Sequence, residues 1–148
     1  MLSDEQAVRL FMFITMSFVF ALVLILLLGV LFLVPGRPIG TTGLAVGTVL
    51  ALLSWFGSRG VTAWAAARAA NARRDAGVAA STATASVRTV AFIGIVACEV
   101  PGLAGLVLGT AMHDVGPFLV SIPVAVLALF VNASGPVALR RHLDRVRS

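Results

Sequence analysis

One carboxylate interrupts a long apolar stretch of this sequence. Glu99 lies in the run from Thr89 to Met112, where every other residue is apolar, small or hydroxyl-bearing. On insertion scales, placing an ionised aspartate at the centre of a membrane helix costs about 2.5–3.5 kcal/mol. Glu99 must therefore stay neutral and donate a hydrogen bond, or meet a cation or a hydrated cavity. Binding of a proton or a cation is the chemistry this residue could perform, and a structural hydrogen bond is the alternative.

The sequence offers few partners for Glu99. No basic residue of the chain falls near the middle of an apolar run, so an internal ion pair is not predicted. Thr48, central in the preceding apolar run, is one predicted acceptor. The other is the carbonyl of Ala97, because Pro101 has no N–H to donate to it and should bend the helix there.

The other residues that commonly perform chemistry are scattered. Cys98 is the single cysteine, and the two histidines are His113 and His142. Nothing resembles a catalytic constellation or a metal-ligand cluster, so neither an enzyme, a cofactor nor a metal site is predicted. We interpret Cys98 as a small packing residue and His113 with Asp114 as a solvated turn.

Composition defines the class of protein that carries Glu99. The 148 residues are 59% hydrophobic and only 11% charged, whereas a soluble domain carries about 25% charged residues. Four apolar runs reach the roughly 20 residues that a membrane helix needs. We predict an all-α polytopic membrane protein, a single domain of four transmembrane helices over residues 10–34, 38–58, 89–112 and 115–139.

Arginine placement predicts the orientation. The net charge is +5 and every basic residue other than histidine is arginine, a bias typical of high-GC bacterial genomes. With four spans, the N-terminus, the loop 59–88 and the tail 140–148 share one side, which carries every arginine except Arg37. This predicts both termini in the cytoplasm and the inner (plasma) membrane as the location. The same rule explains the positive charge, so nucleic acid is not a predicted partner.

The cytoplasmic segments are predicted to be partly helical. Residues 61–75 are alanine-rich with arginines, which favours a helix that extends beyond the membrane and ends at Gly77. The tail is predicted to be a short amphipathic helix on the headgroups, or a solvated end. The basic residues predicted at the membrane surface are Arg68, Arg73, Arg74, Arg140 and Arg141.

Small residues recur every three or four positions in the second and third runs. Such stripes permit close helix approach in lipid, so these two helices are predicted to pack against each other as a hairpin. The first helix is bulky around its circumference and is predicted to be an outer, lipid-facing helix. The predicted packing residues are Gly43, Gly47 and Ala51 in the second run and Gly94, Cys98, Gly102, Gly105 and Gly109 in the third.

The run "SVRTVAFIGIVACEVPGLAGLVLG" resembles the carboxylate-bearing helix of rotary ATPase proteolipid (c-type) subunits. The preceding "IGTTGLAVGTVLALLSWFGSRG" is similar to the glycine-rich first helix of that family, and "ARAANARRD" to its polar loop. The resemblance covers residues 39–110 and implies that Glu99 is an ion-binding carboxylate faced by Thr48. Simple members of the family have two helices, so this chain would be a distant relative with added flanking helices.

Two functions remain open from the sequence. The first is a proton- or cation-linked membrane subunit that uses Glu99. The second is a non-enzymatic accessory or assembly subunit, in which Glu99 is a packing contact. Both imply the lipid bilayer and other membrane subunits, or a homo-oligomer, as partners.

Overall fold

The described parts of the chain fold almost entirely into helices. The computed structural model describes residues 4–33, 36–76 and 83–147, and no strand occurs in these ranges. Two π-helical turns interrupt the helices, the first π-turn at Leu53–Gly57 and the second π-turn at Leu129–Ser134. The α-helices are α1 (Asp4–Leu33), α2 (Thr41–Leu52), α3 (Ser58–Ala76), α4 (Ala83–Ala111), α5 (Gly116–Ala128) and α6 (Pro136–Arg147).

Four helical segments are long and apolar enough to cross a membrane. They are Arg9–Gly29, Thr41–Ala72, Ser86–Ala111 and Gly116–Val146. The all-α class and the four-helix architecture predicted from the apolar runs are therefore confirmed. The second segment includes α3, so the helix predicted over residues 61–75 also forms, and its described part reaches Ala76. Gly77, its predicted terminator, lies outside the described residues.

The turns divide the molecule into two ends. The loop end carries the turn around Arg37 and the turn at His113 and Asp114. The arginine-rich end carries the start of α1, the end of α3, the start of α4 and α6. A buried apolar cluster that includes Phe11, Ala66 and Val146 joins these four elements.

The fourth span, α5 with the second π-turn, is the most buried of the four. All eight predicted packing residues are buried, but most of them pack against this span. A methyl group added at Gly47 would lie 2.8 Å from the carbonyl oxygen of Gly116. On α4, Gly102 faces Ala125 and Gly105 faces Ser121. The second and third spans contact each other as predicted, at Thr62 with Gly94 and at Ser54 with Cys98. Their small-residue stripes, however, lie mainly against the fourth span, which the hairpin prediction did not include.

α1 is the least buried span, as its bulky sequence predicts. Phe13, Phe20 and Phe32 are each at least 69% exposed. The inward face is narrow, and Gly29 lies on it against the ring of Phe118. α1 is thus the outer helix of the bundle.

The second π-turn ends at an abrupt change of direction. Gly135 is extended (φ −65°, ψ 160°) and Pro136 begins α6. Proline is suited to the first position of a helix, because the N–H that it lacks would have no intrahelical acceptor there. A proline at this position predicts that the fourth helix ends or bends there, and the structure confirms it.

α6 confirms the amphipathic helix predicted for the tail. Leu139, His142 and Val146 are buried, and the apolar members of this face join the cluster with α3 and α4. Arg140 and Asp144 are exposed on the opposite side. The tail is therefore not a solvated end, because its apolar face covers the bundle. The predicted contact of its arginines with lipid headgroups stays a prediction.

Candidate functional site

Glu99 lies near the middle of α4, on the border between its packed and open faces. Ile95 and Gly102, about one turn to either side, are buried. Val96 and Val100 are more than half exposed on the outer face. Glu99 itself is half-buried, so its carboxyl group can be reached from the edge of the bundle.

Within the described residues, Glu99 has no hydrogen-bond or ion-pair partner. The Thr48 hydroxyl is exposed and donates to the Leu44 carbonyl of its own helix at 2.8 Å. The second-span residue level with Glu99 is Ser54, whose hydroxyl donates to the carbonyl of Cys98 at 2.9 Å. Thr48 lies six residues further toward the loop end, about 9 Å along the helix. The structure therefore does not bring Thr48 to Glu99.

Cys98 has the environment of a packing residue. The thiol is free and fully buried. It lies in an apolar cluster with Ile95, Ala128 and Leu129. This burial supports the interpretation of Cys98 as a small packing side chain.

α4 itself is helical on both sides of Pro101.

Asn132 joins the two π-turns through a buried hydrogen-bond network. Its Nδ2 donates to the Trp55 carbonyl at 3.0 Å and to Ser58 Oγ at 3.1 Å. Ser58 Oγ in turn donates to the same Trp55 carbonyl at 3.1 Å. π-turns depart from the regular helical ladder and are frequent at functional sites. In the first π-turn, the Trp55 carbonyl accepts hydrogen bonds from two side chains, those of Asn132 and Ser58.

His142 extends this network from α6. Its Nε2 is 3.1 Å from the carbonyl oxygen of Asn132 and 3.2 Å from that of Ala133. Both neighbours are acceptors, so Nε2 carries the proton. Among the described residues, His142 Nδ1 and Asn132 Oδ1 are buried without a partner. We call Ser54, Ser58, Asn132 and His142 the π-turn cluster.

The π-turn cluster was not predicted as a unit. Asn132 and Ser54 are visible in the sequence as polar residues inside apolar runs. Nothing in the sequence indicates the π-turns that orient them, since these depend on how the spans pack. His142 lies beyond the predicted end of the fourth helix and returns only because the chain turns at Gly135.

The predicted solvated turn at His113 and Asp114 is half wrong. His113 is exposed and has a positive φ of 52°, whereas Asp114 is only 7% exposed. Asp114 Oδ2 accepts from the Gly40 N–H at 3.1 Å, and Oδ1 accepts from the Gly116 N–H at 2.8 Å. The carboxylate thus lies at the N-termini of both α2 and α5, where negative charge is favourable.

The predicted surface arginines differ in environment. Arg68 is exposed, and its guanidinium carbon lies 5.5 Å from the centre of the Trp64 ring. Arg74 donates to the Asn71 side chain at 2.7 Å. Arg140 is exposed and Arg141 half-buried on α6. The side chain of Arg73 lies outside the described residues.

The fold and site define an all-helical bundle of four candidate membrane spans, and the carboxylate in the third has no partner among the residues that the structure describes. In the described parts of the chain, no group of three or more histidine, cysteine or acidic side chains could hold a metal. Comparisons with protein-family models, curated proteins and solved structures gave no match. The proteolipid resemblance therefore stays a prediction.

Replacing Asn132 with aspartate is expected to destabilise the protein. The change puts a carboxylate oxygen where Nδ2 donates to the Trp55 carbonyl, in a site that is 1% exposed. An unsatisfied buried polar group costs about 1–3 kcal/mol, and we expect a loss at the upper end of that range. The midpoint of thermal unfolding in detergent measures it. The control is Asn71→Asp on the exposed face of α3, where the Oδ1 acceptor for Arg74 is retained; equal shifts for both variants would contradict the role of the network.

Proposed function

We propose that this protein is a subunit of a membrane assembly and that Glu99 binds a proton or a cation at the bilayer midplane. The observation that carries the proposal is the half-buried Glu99 carboxyl at the edge of α4, with no partner among the described residues. Ionisable groups inside membranes pair with another group or mark an ion path. A carboxyl at the edge of the bundle can meet such a group on a neighbouring subunit.

The orientation belongs to the same proposal. Every arginine except Arg37 lies at the N-terminus, in the segment 59–88 or in the tail 140–148. An excess of arginine marks the cytoplasmic side of membrane proteins. We therefore propose that the arginine-rich end faces the cytoplasm and that the protein resides in the inner (plasma) membrane.

A second candidate is an accessory subunit in which Glu99 only holds the assembly together. The apolar surface beside the carboxyl favours it, since Val96, Val100 and Leu103 are 54%, 58% and 38% exposed on the same helix. A partner helix could cover these side chains and offer Glu99 a basic or hydrogen-bonding group. Neither candidate needs the Thr48 contact.

The substitution Glu99→Gln separates the two candidates. Glutamine has the shape of a protonated glutamic acid and can still donate a hydrogen bond, but it cannot ionise. The assembly is isolated from its native membrane in mild detergent through a tag on this chain. Its mass is measured, and it is then reconstituted into vesicles for proton and cation flux.

Each outcome has a distinct meaning. An intact Glu99→Gln assembly that has lost flux supports the carrier, particularly if Glu99→Asp restores part of the flux. Loss of the assembly itself supports the accessory subunit. The control is Asp144→Asn, the same loss of a carboxylate at an exposed position of α6. A wild-type assembly without flux overturns the carrier, and unchanged flux and mass in Glu99→Gln overturn both.

A further inference from the structure

A continuous groove runs along the outside of the bundle between α3 and α4. The half nearer the middle of α4 has a volume of about 480 Å³ and is lined only by apolar side chains, among them Val61, Val96 and Val100. The other half encloses about 390 Å³ and includes Arg68. Ile93 lines both halves. Each volume falls within the range of about 300–1,000 Å³ that is typical of ligand sites.

The length of the groove matches one leaflet of a bilayer. Along α4 it reaches from Pro101 to Ser86, fifteen residues or about 22 Å at the helical rise. A bilayer with its headgroups is about 40–45 Å thick, so one leaflet is about 20–22 Å. Val100 follows Glu99 in the middle of its span, and the groove therefore runs from the predicted midplane to the arginine-rich end.

The chemistry of the groove changes along this axis. Its midplane half is apolar, as an acyl chain requires. Its other half ends at the exposed Arg68 guanidinium, which lies over the ring of Trp64. Tryptophan is enriched at the membrane interface, and the planar guanidinium group is suited to bidentate binding of phosphate.

We propose that this groove binds one anionic phospholipid from the leaflet at the arginine-rich end. An acyl chain lies along Val61, Val96 and Val100, and the phosphate accepts hydrogen bonds from Arg68. The cation opposite the headgroup favours an anionic lipid over a zwitterionic one. Glu99 lies outside the lining of the groove, so the proposal does not rest on its ionisation. It competes with the accessory candidate, in which a partner helix covers Val96 and Val100.

The test measures lipid binding by the purified full-length protein with native mass spectrometry. Phosphatidylglycerol and phosphatidylcholine with identical acyl chains are titrated against delipidated protein in detergent. The wild type should retain one phosphatidylglycerol in preference to phosphatidylcholine. Arg68→Gln should weaken phosphatidylglycerol about tenfold, the loss expected for a charge-assisted contact, and should leave phosphatidylcholine nearly unchanged. Val96→Trp, which fills the apolar half, should weaken both lipids.

Two matched controls make the test specific. Arg140→Gln removes the same charge from the same end, but Arg140 does not line the groove; Val49→Trp places the same bulk at an exposed position of α2. Both should bind lipid as the wild type does. Equal effects of Arg68→Gln and Arg140→Gln would overturn the proposal in favour of diffuse surface charge. Unchanged lipid binding in Val96→Trp would also overturn the proposal. The proposal would equally fail if Val96→Trp converted an oligomer into a monomer, because the groove would then be a protein interface.

Discussion

Valine in place of Gly47 is expected to disrupt the packing of α2 against α5. A Cβ atom at this position would lie 2.8 Å from the Gly116 carbonyl oxygen and 2.9 Å from that of Pro117. Both atoms belong to the backbone at the start of α5, so relief requires the helices to separate. Overpacking costs about 1–3 kcal/mol, and a β-branched side chain against backbone belongs at the upper end or above. Thermal unfolding in detergent, followed by circular dichroism, measures the loss.

Gly60→Val is the control for this prediction. It is the same substitution in the same helical segment, but a Cβ atom at Gly60 would meet nothing within 4 Å. Its effect should be limited to the small change in helix propensity. If both valines lower the unfolding midpoint equally, close contact between α2 and α5 is not what Gly47 provides.

Replacing Asp114 with alanine is expected to release the loop end of the bundle. The change leaves the N–H groups of Gly40 and Gly116 without their shared acceptor. Hydrogen bonds to charged groups contribute about 1.5–3 kcal/mol each. Because unpaired N–H groups can recruit water, we expect a combined loss of about 3 kcal/mol. The midpoint of thermal unfolding should fall, and the amides of Gly40 and Gly116 should exchange faster with solvent.

Two further variants test the origin of that loss. Asp144→Ala removes a carboxylate from an exposed position of α6 and should leave stability nearly unchanged. Gly43→Ala should destabilise the wild type, since the added methyl group would overlap the Asp114 carboxylate. In the Asp114→Ala background that overlap is gone, so the two substitutions should cost less together than their separate costs add to. Strict additivity would contradict direct contact between Gly43 and Asp114.

The sequence alone was sufficient for the architecture. Only helices satisfy their own backbone hydrogen bonds across a bilayer, so apolar runs of bilayer length predict both helical structure and the number of spans. The bend at Pro136 was equally predictable, because proline cannot continue the hydrogen-bond ladder. The lack of an ion pair for Glu99 among the described residues also followed from the sequence, since no basic residue occurs at a comparable depth in any apolar run. The predicted hydrogen bond to Thr48 does not form.

Tertiary structure decided which helix or side chain each small or polar residue contacts. A stripe of small residues such as Gly43 and Gly47 predicts close approach of another helix without specifying which, and α5 proved to be that helix. Thr48 looked central in its run, yet the contact between Ser54 and Cys98 shows which turn of the second span is level with Glu99.

The polar contacts were likewise decided by tertiary structure rather than by the sequence alone. Asp114 lies in a short charged turn that the sequence predicts to be solvated. It is buried because the starts of α2 and α5 converge there, and its two oxygens accept the N–H groups of Gly40 and Gly116. Asn132 and His142 meet because the second π-turn and the extended Gly135 redirect the chain. The sequence thus determined the helices and the lone carboxylate through local hydrogen bonding and hydrophobicity. Tertiary structure chose the neighbours, because depth, rotation and convergence of helix ends depend on all the spans packing together.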